Sequence, residues 1–148
     1  MAFIPKDAEW FLADLVQEIR VAGSKRNIVD VNYVIIRAAS PEAAFARANA
    51  LGKQSAICYA NELGKKVTIR FRGLRNLDVI YDPLEDGCEI MFEEKLGVSE
   101  KGIKKMVRTK GQLEVFRPIR VRRGRPNYSS KEIMDKVKKT LGGDNAAS

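Results

Sequence analysis

The sequence contains no histidine among its 148 residues. Histidine is the usual general base near neutral pH and the commonest transition-metal ligand, so mechanisms of the Ser-His-Asp and Cys-His types are excluded. The glycines also lack the spacing of a G-x-G-x-x-G or P-loop motif, so kinase and dehydrogenase functions find no support. We therefore expect a protein that is not an enzyme and that binds no cofactor.

Cysteine is scarce, and long apolar runs are missing. Cys58 and Cys88 form no C-x-x-C motif. The first residues contain no apolar segment of the kind found in signal peptides, and no uncharged apolar run approaches the roughly 18 residues that a membrane span needs. These features predict reduced thiols, no membrane association and a cytoplasmic location.

Positive charge is plentiful, but it is concentrated in the last third of the chain. Residues 1–98 carry 13 Lys and Arg against 14 Asp and Glu, a net charge of −1, whereas residues 99–148 carry 14 against 5, a net charge of +9. Basic extensions usually contact phosphates or acidic surfaces. We therefore divide the chain into an α+β domain, residues 1–97, which we expect to fold alone, and a basic C-terminal extension, residues 98–148.

The first half of the domain predicts strands and one helix. Residues 10–21 fit helical and strand periodicity almost equally well, whereas residues 28–38 are rich in β-branched side chains and predict a strand. Ser40 followed by Pro41 is typical of a helix start, because the serine side chain caps free amides and proline suits the first helical position. We expect this helix to continue to about Asn61.

The second half of the domain predicts further strands. Residues 66–71 alternate apolar and polar, and residues 74–81 resume the alternation, so they form either two strands or one long strand bent at Gly73. Residues 88–92 predict a last strand. The predicted fold is α+β, a mostly antiparallel sheet of four to five strands with one helix on a face. We expect its core to include Trp10, Ile35, Phe45, Ile69 and Phe71.

Several short runs resemble a family of small bacterial proteins built on a domain of unknown function. They include the Trp10-Phe11-Leu12-Ala13 run, the Ile35-Ile36-Arg37-Ala38 run with the helix start after it, and the acidic loop that begins at Leu84. The resemblance covers about residues 10–94 and leaves the extension unmatched. It implies a strand for residues 10–21, and it implies no catalytic residues.

The extension contains a short motif and a terminal helix pattern. Arg123-Gly124-Arg125-Pro126 is similar to the core of an AT-hook, in which an extended Arg-Gly-Arg lies in a narrow minor groove, although a basic linker would have the same composition. Residues 130–141 predict a short, basic amphipathic helix. The candidate nucleic-acid-binding residues are Lys104, Lys105, Arg117, Arg120, Arg122, Arg123, Gly124 and Arg125.

These features predict weak, salt-dependent binding of nucleic acid through the extension. The alternative is a protein interaction module, of an adaptor or immunity type, that docks on an acidic protein. A remote third possibility is a Mg²⁺-dependent nuclease, because Asp82 followed by Glu93-Glu94-Lys95 matches a D…E-x-K pattern. Such carboxylates more often form solvated turns, and the sequence leaves the oligomeric state open.

Overall fold

A computed structural model describes residues 3–118 and 125–130. Its four strands pair antiparallel in the order β2-β1-β4-β3, and a helix connects β2 to β3. The elements are β1 (Trp10–Val21), β2 (Ile28–Arg37), α1 (Pro41–Gln54), β3 (Ile57–Ala60), β4 (Lys66–Val79) and α2 (Glu100–Met106). The predicted α+β class, with a largely antiparallel sheet, is confirmed.

The described chain forms two compact units. Unit 1 comprises residues 3–90 together with 125–130, and unit 2 comprises residues 91–118. The basic extension, predicted to be a single appendage from residue 98, is therefore divided between the units. Independent folding of residues 1–97 stays a prediction, and the terminal helix expected at residues 130–141 lies outside the described residues except for Ser130.

Strand β1 occupies the middle of the sheet, and its position resolves the ambiguity of residues 10–21. It pairs with β2 from Trp10 to Ile19 and with β4 from Phe11 to Val21. Residues 11–15 are all buried, and neighbouring strands flank both edges of β1. Pairing on both sides selects the extended conformation, so the strand implied by the family resemblance is confirmed.

Strand β4 is one long strand with two irregularities near Gly73. The pairing with β1 skips Arg72 and Arg75, and Gly73 has φ of +135°, which favours glycine. Both skipped arginines reach carboxylates on β1, since Arg75 contacts Asp14 and Arg72 contacts Glu18. The bend expected at Gly73 therefore also redirects two cationic side chains.

Helix α1 covers one face of the sheet. The Ser40 side chain accepts a hydrogen bond from the Ala43 amide at 3.1 Å, and Pro41 follows at the first helical position, as predicted. A stripe of small residues, Ala44, Ala48 and Gly52, is buried against the sheet. The main core lies under this stripe and consists of Phe11, Ala13, Leu15, Ile36, Ala44, Ala48 and Val79.

The predicted end of the helix was wrong. Helix α1 ends at Gln54 rather than near Asn61, and the Ser55 hydroxyl donates to the Gly52 carbonyl at 2.7 Å. Residues 57–60 (Ile-Cys-Tyr-Ala) then pair with β4 as strand β3. Their branched and aromatic side chains suit a strand, and pairing with β4 outweighs the helical periodicity read across them.

The last predicted strand does not form. Residues 88–92 are irregular. They have no partner strand among the described residues, so their backbone has no ladder of hydrogen bonds to extend.

The predicted core was right for some positions and wrong for others. Ile69 and Phe71 are half-buried and pack against core clusters. Trp10 is also half-buried, whereas Ile35 and Phe45 are 47% and 57% exposed. Ile35 lies on the sheet face opposite α1. Phe45 follows the buried Ala44 and so falls on the outer side of the helix.

Close contact between Gly52 and Phe71 yields a test of the packing. A Cβ atom at position 52 would lie 2.4 Å from Cε1 of Phe71. Alanine is otherwise favoured over glycine inside a helix by about 1 kcal/mol. We expect G52A to lower the free energy of unfolding by about 1 to 2 kcal/mol, because overpacking outweighs helix propensity.

The control is the same substitution in an F71A background, where the obstructing ring is gone. There G52A should stabilise the protein, as measured by urea unfolding. An unchanged or raised stability of G52A in the parent chain would contradict the packing of the ring against the helix.

Candidate functional site

Unit 2 presents cationic side chains on a short and sparsely packed scaffold. Helix α2 begins after Ser99, whose hydroxyl accepts from the Gly102 amide at 3.1 Å, and none of its residues is buried. Its last turn carries Lys104 and Lys105. The basic residues of this described unit are Lys95, Lys101, Lys104, Lys105, Arg108, Lys110 and Arg117.

Three of these cations converge on one pocket, which we call the basic pocket. It has a volume of about 430 Å³ and includes no carboxylate among its lining residues. Arg117 donates to Glu114 at 3.0 Å, whereas Lys105 and Arg108 form no ion pair within the described chain. The lining residues are Lys105, Val107, Arg108, Gly111, Gln112, Arg117 and Pro118.

Local backbone structure brings these residues together. Val107 is extended and ends α2, so the chain leaves the helix after Met106. A 3-10 turn over residues 110–112 follows, and the Thr109 amide donates to the Gln112 side chain at 3.0 Å. The pocket can therefore offer guanidinium, ammonium and side-chain amide donors to an anion.

The predicted binding residues have different locations. Lys105 and Arg117 line the basic pocket, and Lys104 is exposed beside it in sequence. Arg120, Arg122, Arg123 and Gly124 lie outside the described residues. Arg108 belongs to the pocket but was not among the predicted site residues, although its place in the run of cations after α2 was a usable signal.

Arg125 belongs to unit 1, within a segment that we call the C-terminal strap (residues 125–130). The strap runs beside the end of β3, where Ser130 forms an antiparallel bridge with Asn61 and the Glu62 amide donates to the Ser129 carbonyl at 3.3 Å. Tyr128 packs against the second core cluster, whose buried members are Ile19, Val21 and Val67. The chain thus returns to unit 1 after the basic segment.

Asn61 holds the strap in place. Its side chain is 3% exposed and donates to the Asn127 carbonyl at 2.8 Å. The Asn61 carbonyl oxygen Oδ1 also accepts from the amides of Leu63 and Lys65, at 2.9 and 2.8 Å. One buried amide therefore joins the β3–β4 turn to the strap, a role that no sequence pattern had indicated.

The strap constrains the AT-hook-like motif. The Arg125 guanidinium lies over the Tyr128 ring, 5.4 Å from its centre, and donates to the Tyr128 hydroxyl at 3.2 Å. Pro126 is buried. To enter a minor groove, Arg125 would have to leave its ring and Pro126 its buried position. Hook-like binding stays a prediction. Generic phosphate contact does not require Arg125 and Pro126 to leave these positions.

A second polar group lies on the central strand. Asp14 is 3% exposed, and its Oδ2 accepts from Nε and from a terminal nitrogen of Arg75, at 3.1 and 2.9 Å. Hydrogen bonding to Asp14, and to a smaller extent hydrogen bonding to the Tyr33 hydroxyl, raises the pKa of Arg75. Asp14 Oδ1 has no hydrogen-bond partner within the described residues. The group serves to neutralise a buried carboxylate.

The acidic residues behind the nuclease alternative form no metal site in the described chain. Across residues 3–118 and 125–130, no group of three or more Cys, Asp or Glu side chains is placed to hold a metal ion. Asp82 instead accepts from the Glu89 amide at 3.3 Å and so closes its own loop. Cys58 and Cys88 are both free thiols.

The fold of unit 1 is of the α+β class: its elements follow one another in the order ββαββ, and they form an antiparallel four-stranded sheet with one helix on a face. The chain belongs to the family of the domain of unknown function DUF4288, which it matches over residues 10–92. The match ends just after unit 1's main segment, so the whole basic extension, residues 98–148, lies beyond it. No curated protein and no solved structure is significantly similar to the chain.

No helix in the described ranges is long and apolar enough to span a membrane.

Removal of the Asn61 side chain should loosen the strap. N61A leaves the Asn127 carbonyl and two turn amides without their partner, and we expect a loss of about 1 to 3 kcal/mol in the free energy of unfolding. N76A, at an exposed position of β4, is the matched control and should change stability by less than about 0.5 kcal/mol. Urea unfolding measures both, and equal effects would contradict the proposed role of Asn61.

Alkaline pH should weaken the same region. The Tyr59 hydroxyl donates to the Tyr128 carbonyl, and burial, then the nearby Tyr128, raises the pKa of Tyr59. Stability from this group is complete below the ordinary tyrosine pKa of about 10 and is lost as pH rises through the higher folded-state pKa. The free energy of unfolding, measured with urea between about pH 9 and 11, should therefore fall less steeply with pH for Y59F than for the parent chain. Identical slopes would contradict this assignment.

Proposed function

We propose that the protein binds a polyanion, namely nucleic acid, through unit 2 and the arginines that follow it. The observation that carries the proposal is the basic pocket, where Lys105, Arg108 and Arg117 converge without a lining carboxylate. Guanidinium groups bind phosphate in a bidentate manner, and a lysine adds a point charge. We assign no chemical reaction to the protein.

Charge distribution supports a polymer rather than a single small anion. The cations of α2 and the pocket are exposed and continue in sequence into Arg120, Arg122 and Arg123. A line of cations can neutralise successive phosphates, and each released counterion favours binding. Phosphate contacts of this kind fix position but carry no sequence information. We therefore expect similar affinities for A·T-rich and G·C-rich duplexes.

Chain connectivity also bears on the proposal. Unit 2 is followed by the C-terminal strap, which belongs to unit 1, so the basic segment is tethered to unit 1 at both ends. A tethered segment has fewer conformations to lose on binding than a free tail of the same length. The cost of ordering the segment on a polyanion is lowered accordingly.

The alternative is a protein interaction module of the adaptor or immunity type. The observation in its favour is that unit 2 exposes large apolar side chains between its cations, including Leu96 at 98%, Val107 at 72% and Val115 at 83%. Exposed apolar groups of this size often mark contact surfaces. An acidic protein with an apolar patch would fit such a surface.

A salt titration distinguishes the two functions. Binding of duplex DNA or RNA should weaken linearly in a plot of log affinity against log salt concentration, whereas an apolar protein interface should respond weakly. The variant K105Q/R108Q/R117Q should flatten the slope by about 0.9 for each B-DNA phosphate that it no longer neutralises. R120A/R122A/R123A/R125A should flatten it in the same way.

The matched control removes three exposed cations from unit 1, as R47Q/K53Q/K65Q, and removes the same formal charge. It should leave the slope close to that of the parent chain. An equal effect of the control and pocket variants would argue against a defined site. No detectable binding at low salt would exclude the nucleic-acid proposal and favour the protein partner.

A further inference from the structure

The two edges of the sheet differ in their protection. Strand β3 has four residues, and the C-terminal strap bonds to the chain just beyond it. Strand β2 forms the opposite edge, has ten residues, and pairs on its outer side with no described residue. Proteins usually protect such an edge with lysine, proline, a bulge or a short strand. Strand β2 has none of these, and its pairing with β1 is unbroken.

The outer edge of β2 is ready to form hydrogen bonds. Just after β2, the Ala38 amide donates to the carbonyl of Glu9, the residue before β1, at 3.0 Å. Bonding directions alternate along an antiparallel strand, so residues 36, 34 and 32 face β1, and residues 29, 31, 33 and 35 direct their backbone groups outward. The side chains of these outward residues lie opposite α1, and Val29, Tyr33 and Ile35 are 54%, 56% and 47% exposed.

We propose that a second copy of the chain pairs antiparallel with β2, in a register centred on Asn32, so that one sheet continues through both copies. A two-fold interface requires a self-complementary surface. The outward residues satisfy this condition, because they lie symmetrically about Asn32. Val29 then faces the partner's Ile35, and Val31 faces the partner's Tyr33, so each apolar side chain meets another.

Charge is compatible with this register. The charged residues of β2 are Asp30 and Arg37. Centring on Asn32 places Asp30 opposite the partner's Val34, and no like charges face each other. Centring on Tyr33 would instead place Val29 opposite the partner's Arg37. The Asn32 register therefore gives each of the four outward side chains, at positions 29, 31, 33 and 35, an apolar partner.

Pairing of two copies would also have a functional consequence. It would join two basic segments in one particle, and two linked weak sites bind a polymer more tightly than either alone. The association itself does not depend on the proposed function, since it rests on unit 1 only.

The test uses the full-length chain and sedimentation equilibrium over a wide range of concentration. The parent should associate to a dimer. V29K/I35K places lysine opposite lysine at both ends of the interface and should remain monomeric. V29K/I35E replaces each repulsive pair with an opposite-charge pair and should restore the dimer. Circular dichroism verifies that each variant is folded, which is expected because both positions are half-exposed.

F45K/I57K is the matched control, because it replaces two similarly exposed apolar residues on α1 and β3, away from the β2 edge. It should dimerise like the parent. The proposal is overturned if the parent is monomeric at the highest attainable concentration, which is also the result expected if another segment of the chain covers β2. It is likewise overturned if V29K/I35K dimerises normally, or if V29K/I35E stays monomeric while folded.

Discussion

The structure depends on the burial of β1 between two neighbouring strands. Two polar side chains of β1, Asp14 and Gln17, are 3% and 2% exposed. A buried carboxylate is tolerated only with a cation close by. Arg75 supplies that cation from an irregularity in the pairing of β4 with β1. The irregular part of β4 near Gly73 therefore provides the partner that the buried Asp14 needs.

The C-terminal strap changes the meaning of the basic extension. By charge alone, the last third of the chain is a tail attached to a complete domain. Tyr128 nevertheless packs on the second core cluster, and the Asn127 carbonyl binds the buried Asn61. Part of the extension thus contributes to the stability of unit 1, and the cationic segment before it is held at both ends.

The proposed activities divide between the two units. Unit 2 concentrates cations, has few buried side chains and contains the basic pocket, which are properties of a surface that meets a charged partner. Unit 1 contains the sheet, whose β2 edge pairs with no other strand among the described residues, and the proposed association of two copies uses that edge. Electrostatic binding and edge pairing act through different physical forces, so salt and β2 substitutions address them separately.

The sequence by itself determined the local features. Ser40 and Pro41 begin a helix because their chemistry suits free amides, the alternation of residues 66–71 marks a strand, and the charge count locates the cationic segment. The family resemblance indicated β1 as a strand. These properties arise from neighbouring residues, so they can be inferred without knowing what lies across the fold.

Tertiary structure decided what depends on distant partners. Strand β3 forms because β4 is available to pair with residues 57–60, and residues 88–92 stay irregular without such a partner. The basic pocket needs the turn that brings Arg117 to Lys105, and the strap needs Asn61 across an intervening segment of more than 60 residues. Hydrogen-bond ladders and buried contacts of this range have no periodic signature in the sequence, because their partners are set by the folded chain alone.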